Sequence, residues 1–372
     1  MRTIGIPQLY CGASGQKGAY NRQEVGLARA FVSLGCRAVA IYPDPTLSAP
    51  RVEDLEPMVR VLYLPARALG VHAFYKSWQP LLEEKIDAVH VMGDNSLGVP
   101  GLYRFCKRHG IFFYSQLGAL KSASNSAGAR FVMDLLLRRN LAVYRKTPAF
   151  AKTPAAAAEL KSLGVPCAGV LPVGLDTAII PMIPGSRRDI RAELELDPDA
   201  RYLLFVGRID PYKRAMALVP LMQALDDSWR LIVIGQGSQA GALDAALQGL
   251  GQRYRRIARL PNTAVHAYYH ACDVFVNLND REIFGMSLLE AMYAGCPPVA
   301  RRAPGPELII ENGVSGLLAD TDAQLPGAVC RAAADPDMGI AAQRRINEHF
   351  LWGNSAEAAL DLLTREGVRS HG

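Results

Sequence analysis

Short apolar runs alternate along this chain with stretches in which apolar residues return every three or four positions. Residues 3–9, 37–42, 88–92 and 111–115 have the length and composition of strands, and residues 21–34 have the period of a helix. Periods that switch in this order predict βαβ units, hence parallel sheets covered by helices. The rhythm breaks across residues 172–200, PVGLDTAIIPMIPGSRRDIRAELELDPDA, a stretch rich in proline and charge. It restarts at RYLLFVG and continues through WRLIVIG, RRIARL, DVFVNL and PPVA. The pattern predicts two tandem Rossmann-like, doubly wound parallel-sheet domains, 1–175 and 176–352, with a cleft between the carboxyl ends of their strands. No internal repeat or low-complexity tract interrupts them.

Composition narrows the class. The 372 residues are half hydrophobic and one-fifth charged, as in a soluble two-domain protein. A net charge of +6 favours anionic partners. No Lys/Arg run with interleaved aromatics points to nucleic acid, so phosphate is the expected partner. The seven cysteines form no C-x-x-C pair, which argues against a zinc site or disulfide framework and fits a reducing cytoplasm. The opening MRTIGIPQLYCG is too short an apolar run for a signal peptide.

Four stretches carry candidate chemistry. In REIFGMSLLEAMYAGCPP, Glu282 precedes an apolar run that contains Glu290. A helix starting near Gly285 leaves Glu282 in a loop and Glu290 in the second turn, too far apart to act as a pair on one atom, which fits one polyhydroxylated ligand shared by both acids; the alternative is that Glu290 is a partly solvated helix residue. In YLLFVGRIDPYKR, Arg208 and Lys213 follow a strand, where two cations clamp a diphosphate or else stand as solvated surface charges. In LIVIGQGSQAG, Gly235, Gly237 and Gly241 open a helix as in a dinucleotide fold. The next strand lacks the acid that would hold an adenosine ribose, so a nucleotide is retained and NAD is not. In residues 121–146, six basic residues against one acid accompany the apolar positions Met133, Leu136, Leu137, Leu141 and Tyr144. That pattern fits either a core helix with a basic edge or a helix lying on an anionic membrane.

Two further patterns read as structural. His266 and His270 have the i, i+4 spacing of a zinc helix but no third ligand. The Asp-x-Asp pairs 197/199, 320/322 and 335/337 look like turns and helix starts, so no metal site is expected.

Taken together, Glu282 and Glu290 as E-x7-E, the flanking FG and EAMYAG, the GR with Lys213, and the GxxGLL of residues 313–318 resemble the retaining GT-B glycosyltransferases, family 4 in particular. VGLDT and HFLWGNSAEAALDLL are weaker matches, the latter resembling the helix, here 353–372, that crosses back to the N-terminal domain. The resemblance implies an N-terminal acceptor-side domain and a C-terminal nucleotide-sugar domain. It places Arg208 and Lys213 on a nucleoside diphosphate, Glu290 on ribose hydroxyls, and Glu282 with the backbone of Phe284, Gly285 and Met286 on the donor sugar. KGAYNRQEVGLARAF resembles the family's Gly-Gly loop, which sets Gly18 near phosphate, with Ala19 as the second residue. In FFYSQLGAL, Leu117 stands where relatives have histidine, and Gln116 is the candidate substitute. The implied activity is metal-independent, cofactor-free transfer of a hexose-type unit, from UDP in first place, to a hydroxyl acceptor with retention. A membrane-linked acceptor and a cytoplasmic protein docked at the inner face through residues 121–146 extend that expectation. A nucleotide-sugar epimerase or phosphorylase on the same fold, and a non-catalytic nucleotide- or sugar-binding protein, are the competing expectations.

Overall fold

A computed structural model describes residues 1–11, 22–118, 120 and 127–370, with backbone only for residues 127–132. The chain forms two units, Met1–Asp176 with Trp352–Gly372, and Thr177–Leu351.

Among the described residues the first unit holds nine strands: β1 Thr3–Pro7, β2 Arg37–Asp44, β3 Arg51–Glu56, β4 Val59–Leu69, β5 His72–Tyr75, β6 Ala88–Val91, β7 Phe112–Leu117, β8 Ala149–Ala151 and β9 Cys167–Val170. Their order is β3-β4-β2-β1-β6-β7-β8-β9, with β5 on β4. All pairings are parallel except β3 and β5 against β4. Val39, Ile41, Val89, Val91 and Phe113 form the centre of its core. The last helix, Trp352–Arg365, belongs to this unit: Trp352 is buried, and Ser355 Oγ donates to the carbonyl of Pro172 at 2.8 Å.

The antiparallel edge corrects the purely parallel expectation, which placed no strand between residues 42 and 88. β3 buries neither face, so its residues show no apolar alternation. Pro65 interrupts the apolar run of β4, and a proline demotes a sequence stretch as a strand. Here it stands near the end of the β2 pairing, opposite Asp44. A second correction concerns β7, which runs two residues past the predicted end and carries Gln116 and Leu117 into the sheet.

The second unit holds six parallel strands: β10 Arg201–Val206, β11 Trp229–Ile234, β12 Tyr254–Ile257, β13 Val274–Asn277, β14 Pro298–Arg301 and β15 Leu317–Ala319. Their order, β12-β11-β10-β13-β14-β15, reverses direction between β10 and β13. Chain leaving those two neighbours departs to opposite sides, and the crevice left at their carboxyl ends is where an open α/β sheet receives ligand. Leu203, Phe205, Val233, Val274 and Val276 fill the core beneath.

Candidate functional site

The loop leaving β10 begins with Gly207 and Arg208 and reaches Lys213 at the end of a single 3-10 turn, Pro211–Lys213. Ile209 is fully buried and its amide donates to the carbonyl of Gln236 at 3.0 Å, so this loop lies against the loop leaving β11. The approach is close enough to require glycine. A Cβ on Gly235 would sit 1.9 Å from the carbonyl oxygen of Gly207, and one on Gly237 would sit 2.4 Å from that of Ile209. The glycine-rich turn is therefore demanded by backbone packing within the protein. Asp210 closes the same junction: its Oδ1 accepts from the amide and hydroxyl of Ser238, both at 2.8 Å. Those bonds, with Arg208 behind them, hold its carboxyl below the usual range. Its other oxygen accepts from Arg208 Nε at 2.7 Å, which anchors a guanidinium whose side chain is 62% exposed.

The loop leaving β13 supplies the first carboxylate. Asn277 Oδ1 accepts from the amide of Asn279, and Asn279 Oδ1 from that of Arg281, two successive turns that fix the chain before Glu282. Glu282 Oε2 accepts from Lys213 Nζ at 2.5 Å and from Asn279 Nδ2 at 3.3 Å. Phe284 is buried, and Gly285, at φ +106°, turns the chain into the helix Met286–Tyr293. A side chain is rarely tolerated at that φ. Lys213 of the β10 loop and Glu282 of the β13 loop thus meet beside the strand-order reversal, with Arg208 at the start of the same β10 loop.

Arg214 belongs to the same framework, and the sequence gives no signal for it beyond its place after Lys213. It adopts φ +55° and sends its guanidinium away, Nη1 to the carbonyl of Leu278 at 3.2 Å and Nη2 to Asp322 at 2.7 Å. Arg301 also donates to Asp322. Asp322 is therefore a tie between loops. Of the other Asp-x-Asp pairs, Asp197 accepts from the amide of Asp199 in a turn, and Asp335 caps the helix Pro336–His349.

Glu290 has a different environment. It is 2% exposed and accepts from Tyr269 Oη at 2.9 Å and Asn262 Nδ2 at 3.2 Å, both on the helix Asn262–Ala271. Burial pushes its carboxyl up to about 7, against the opposing pull of those two donors. No cation is bonded to it among the described residues. His266, on that same helix, is buried with neither ring nitrogen hydrogen-bonded among the described residues, and burial holds its pKa down to about 4.

In the first unit, Gly18 and its loop lie outside the described residues. Gln116 and Leu117 are fully buried. Gln116 Nε2 donates to the carbonyls of Leu171 and Pro172 at 2.7 and 3.0 Å, and its Oε1 meets His90 Nε2 at 3.0 Å. The amide is consumed within the protein, so neither residue offers the hydroxyl contacts expected of a histidine substitute. The helix Ala127–Tyr144 buries Leu137 and Tyr144 while Arg138 and Arg139 on it, and Arg145 and Lys146 just beyond, are exposed. Its described part is a core helix with a basic edge.

The titration of Glu290 yields a stability test. Its folded pKa lies above the unfolded value of 4.5, so its contribution is fully present below pH 4.5 and lost as pH rises through about 7. Glu290→Gln abolishes that loss. Urea unfolding of the two proteins should show the variant gaining on the parent between pH 5 and 8, by on the order of 3 kcal/mol. A pH-independent difference would contradict the buried carboxyl described here.

The chain is similar to several known proteins. Residues 186–344 match the family described as Glycosyl transferases group 1. A D-inositol 3-phosphate glycosyltransferase of Saccharomonospora viridis is 32% identical over 198 residues, covering 48% of this chain and 46% of the relative. A GDP-mannose-dependent alpha-mannosyltransferase of Mycolicibacterium smegmatis is 33% identical over 166 residues, 43% of each chain. The chain thus spans about half the length of the curated relatives it matches. Among solved structures, sucrose-phosphate synthase from Thermosynechococcus elongatus superposes with a TM-score of 0.75 at 21% identity, covering 99% of both chains. HepE of Anabaena, in complex with UDP and glucose, superposes with a TM-score of 0.73 at 18% identity, over 98% of this chain and 100% of that one. Residues 186–344 are thus similar to the glycosyl transferases of group 1, and the fold of the chain is that of the GT-B glycosyltransferases.

Proposed function

We propose that this protein transfers a sugar from a nucleoside diphosphate, UDP in first place, to an acceptor hydroxyl, with retention at the anomeric carbon and without a metal ion. The observation that carries the reading is the meeting of Lys213 with Glu282 beside Arg208 at the strand-order reversal of the second unit. UDP takes first place because a structural neighbour was crystallised with UDP and glucose. In the free protein Lys213 and Glu282 neutralise each other. A bound diphosphate offers Lys213 a stronger partner, and Glu282 is then left as a full negative charge beside the donor sugar.

The chemistry is electrostatic. The bond from the anomeric carbon to the β-phosphate oxygen breaks, and the charge left on that oxygen is stabilised by Lys213 and Arg208. The bond to the acceptor oxygen forms on the same face, and the acceptor proton passes to the departing phosphate. Glu282 supports the cationic anomeric centre without forming an adduct. Phe284, Gly285 and Met286 hold the sugar through backbone groups, and Glu290, ionised by ligand binding, accepts from ribose hydroxyls.

Calorimetric titration with UDP separates the two acids. Glu290→Ala should weaken UDP ten- to a hundredfold, about 1.5 to 3 kcal/mol. Glu282→Gln should leave UDP affinity unchanged or slightly improved, since Lys213 loses its internal partner, while transfer falls sharply. Equal UDP affinity in both variants would refute this division of roles. Turnover should survive chelator; complete loss restored by Mg²⁺ or Mn²⁺ would remove the metal-free mechanism. The exposed basic edge Arg138, Arg139, Arg145 and Lys146 supports a membrane-linked acceptor. It should sediment the protein with anionic liposomes at low salt and release it at high salt. Indifference to liposomes would favour a soluble acceptor.

A further inference from the structure

The amino ends of β6, β7 and β8 border a pocket of about 600 Å³, lined by Asp87, Ile111 and Pro148, the residues that precede those strands, and by residues 367–370 beyond the last helix. Every lining residue belongs to the first unit. Open α/β sheets receive their substrates at the carboxyl ends of the strands, so this pocket stands at the other end of the sheet from such a site. Arg2 fixes the segment that walls it: Nε donates to the carbonyl of Val368 at 3.0 Å and Nη1 to Thr364 Oγ1 at 3.1 Å. The amide of Val368 donates to the carbonyl of Leu363 at 3.0 Å, which sets Arg369 at the rim.

The rim is cationic and the floor aromatic. Lys107, Lys146 and Arg369 come from three separate segments, are exposed, and make no ion pair or side-chain hydrogen bond among the described residues. The acid of the lining, Asp87, is buried and accepts from the amide of Thr3 at 2.7 Å. The helices Val99–His109 and Ala127–Tyr144 end beside the pocket, each bringing roughly half a negative charge. Three cations against those two helix ends and Asp87 leave an excess of about one positive charge. Like charges gathered at one rim repel, and a bound anion relieves the repulsion. Beneath them Tyr103 and Phe112 are half-buried, and the buried ring of Phe113 meets that of Tyr103 edge-on at 5.5 Å. An aromatic floor under a cationic rim fits a ligand with a flat ring and an anionic group. At ~30 Å³ per water the pocket has room for about twenty, the size of a nucleoside monophosphate.

We propose that this pocket is a second ligand site, for a nucleoside monophosphate: the base packs on Tyr103 and Phe112, and the phosphate rests among Lys107, Lys146 and Arg369. One phosphate matches the small positive excess, whereas a di- or triphosphate brings more charge than the rim offsets. The inference does not depend on the transferase reading, since no residue of the crevice between β10 and β13 takes part.

Ligand-observed NMR titration of the full chain with AMP, adenosine and ribose 5-phosphate tests this. AMP should bind about tenfold more tightly than either fragment, because one fragment keeps only the ring contact and the other only the phosphate contact. Lys107→Glu and Arg369→Glu, both at exposed positions, should each weaken AMP by about fivefold or more and leave the thermal midpoint in place. Arg108→Glu makes the same charge change one residue from Lys107 but outside the lining, and should leave AMP affinity as it is. Glu290→Ala, in the second unit, should leave it as well. Absence of AMP binding, or an Arg108→Glu effect equal to that of Lys107→Glu, would overturn the proposal. So would AMP binding that Glu290→Ala abolishes and Lys107→Glu leaves intact, which assigns AMP to the crevice of the second unit alone.

Discussion

Lys213 and Glu282 are 69 residues apart, and they meet because β10 and β13 are hydrogen-bonded neighbours whose chain connections run to opposite sides of the sheet. Each residue stands a few positions past the carboxyl end of its strand, so the pairing of the two strands places a cation and an anion across one crevice. The remaining features of that crevice serve this placement. Gly235 and Gly237 let the β11 loop support the β10 loop from below, and Asp210 ties both to Ser238. Arg214 and Arg301 fasten the outer loops to Asp322.

Within that frame the two glutamates of one sequence motif acquire different electrostatic characters. Glu282 faces the ammonium of Lys213 and the amide of Asn279. Glu290, eight residues on, faces a phenol and an amide in a buried setting, where neutral donors only partly offset the loss of water. The two environments are set by different neighbouring elements, the β10 loop for Glu282 and the helix Asn262–Ala271 for Glu290.

The first unit shows the opposite use of polar groups. His90 and Gln116 are fully buried and satisfied: the Gln116 amide donates to two carbonyls, so its oxygen requires a proton on His90 Nε2, leaving Nδ1 to accept from Tyr114 Oη at 3.1 Å. Burial holds His90 to about 4, which keeps the ring neutral and the network intact. A network closed on itself has nothing to offer a ligand. Elsewhere in this unit Asn140 Oδ1, His72 Nδ1 and Ser115 Oγ are buried without a hydrogen-bond partner among the described residues.

Local pattern determined the alternating elements, the second parallel sheet, the loop position of Glu282 and the helical position of Glu290, because strand and helix periods and a helix-starting glycine are properties of neighbouring residues. The short apolar runs of β10, β11 and β13 are legible for the same reason. The edge strands β3 to β5 were not, since an exposed edge shows no apolar alternation and Pro65 breaks the one apolar run. Tertiary structure alone decided that Lys213 pairs with Glu282, that the glycines after β11 answer to a neighbouring carbonyl, and that Gln116 is spent inside the sheet. It also decided that Asn262 and Tyr269 become the partners of Glu290. Each of these depends on which strands become neighbours, and a pairing between residues many positions apart leaves no periodic trace in the sequence.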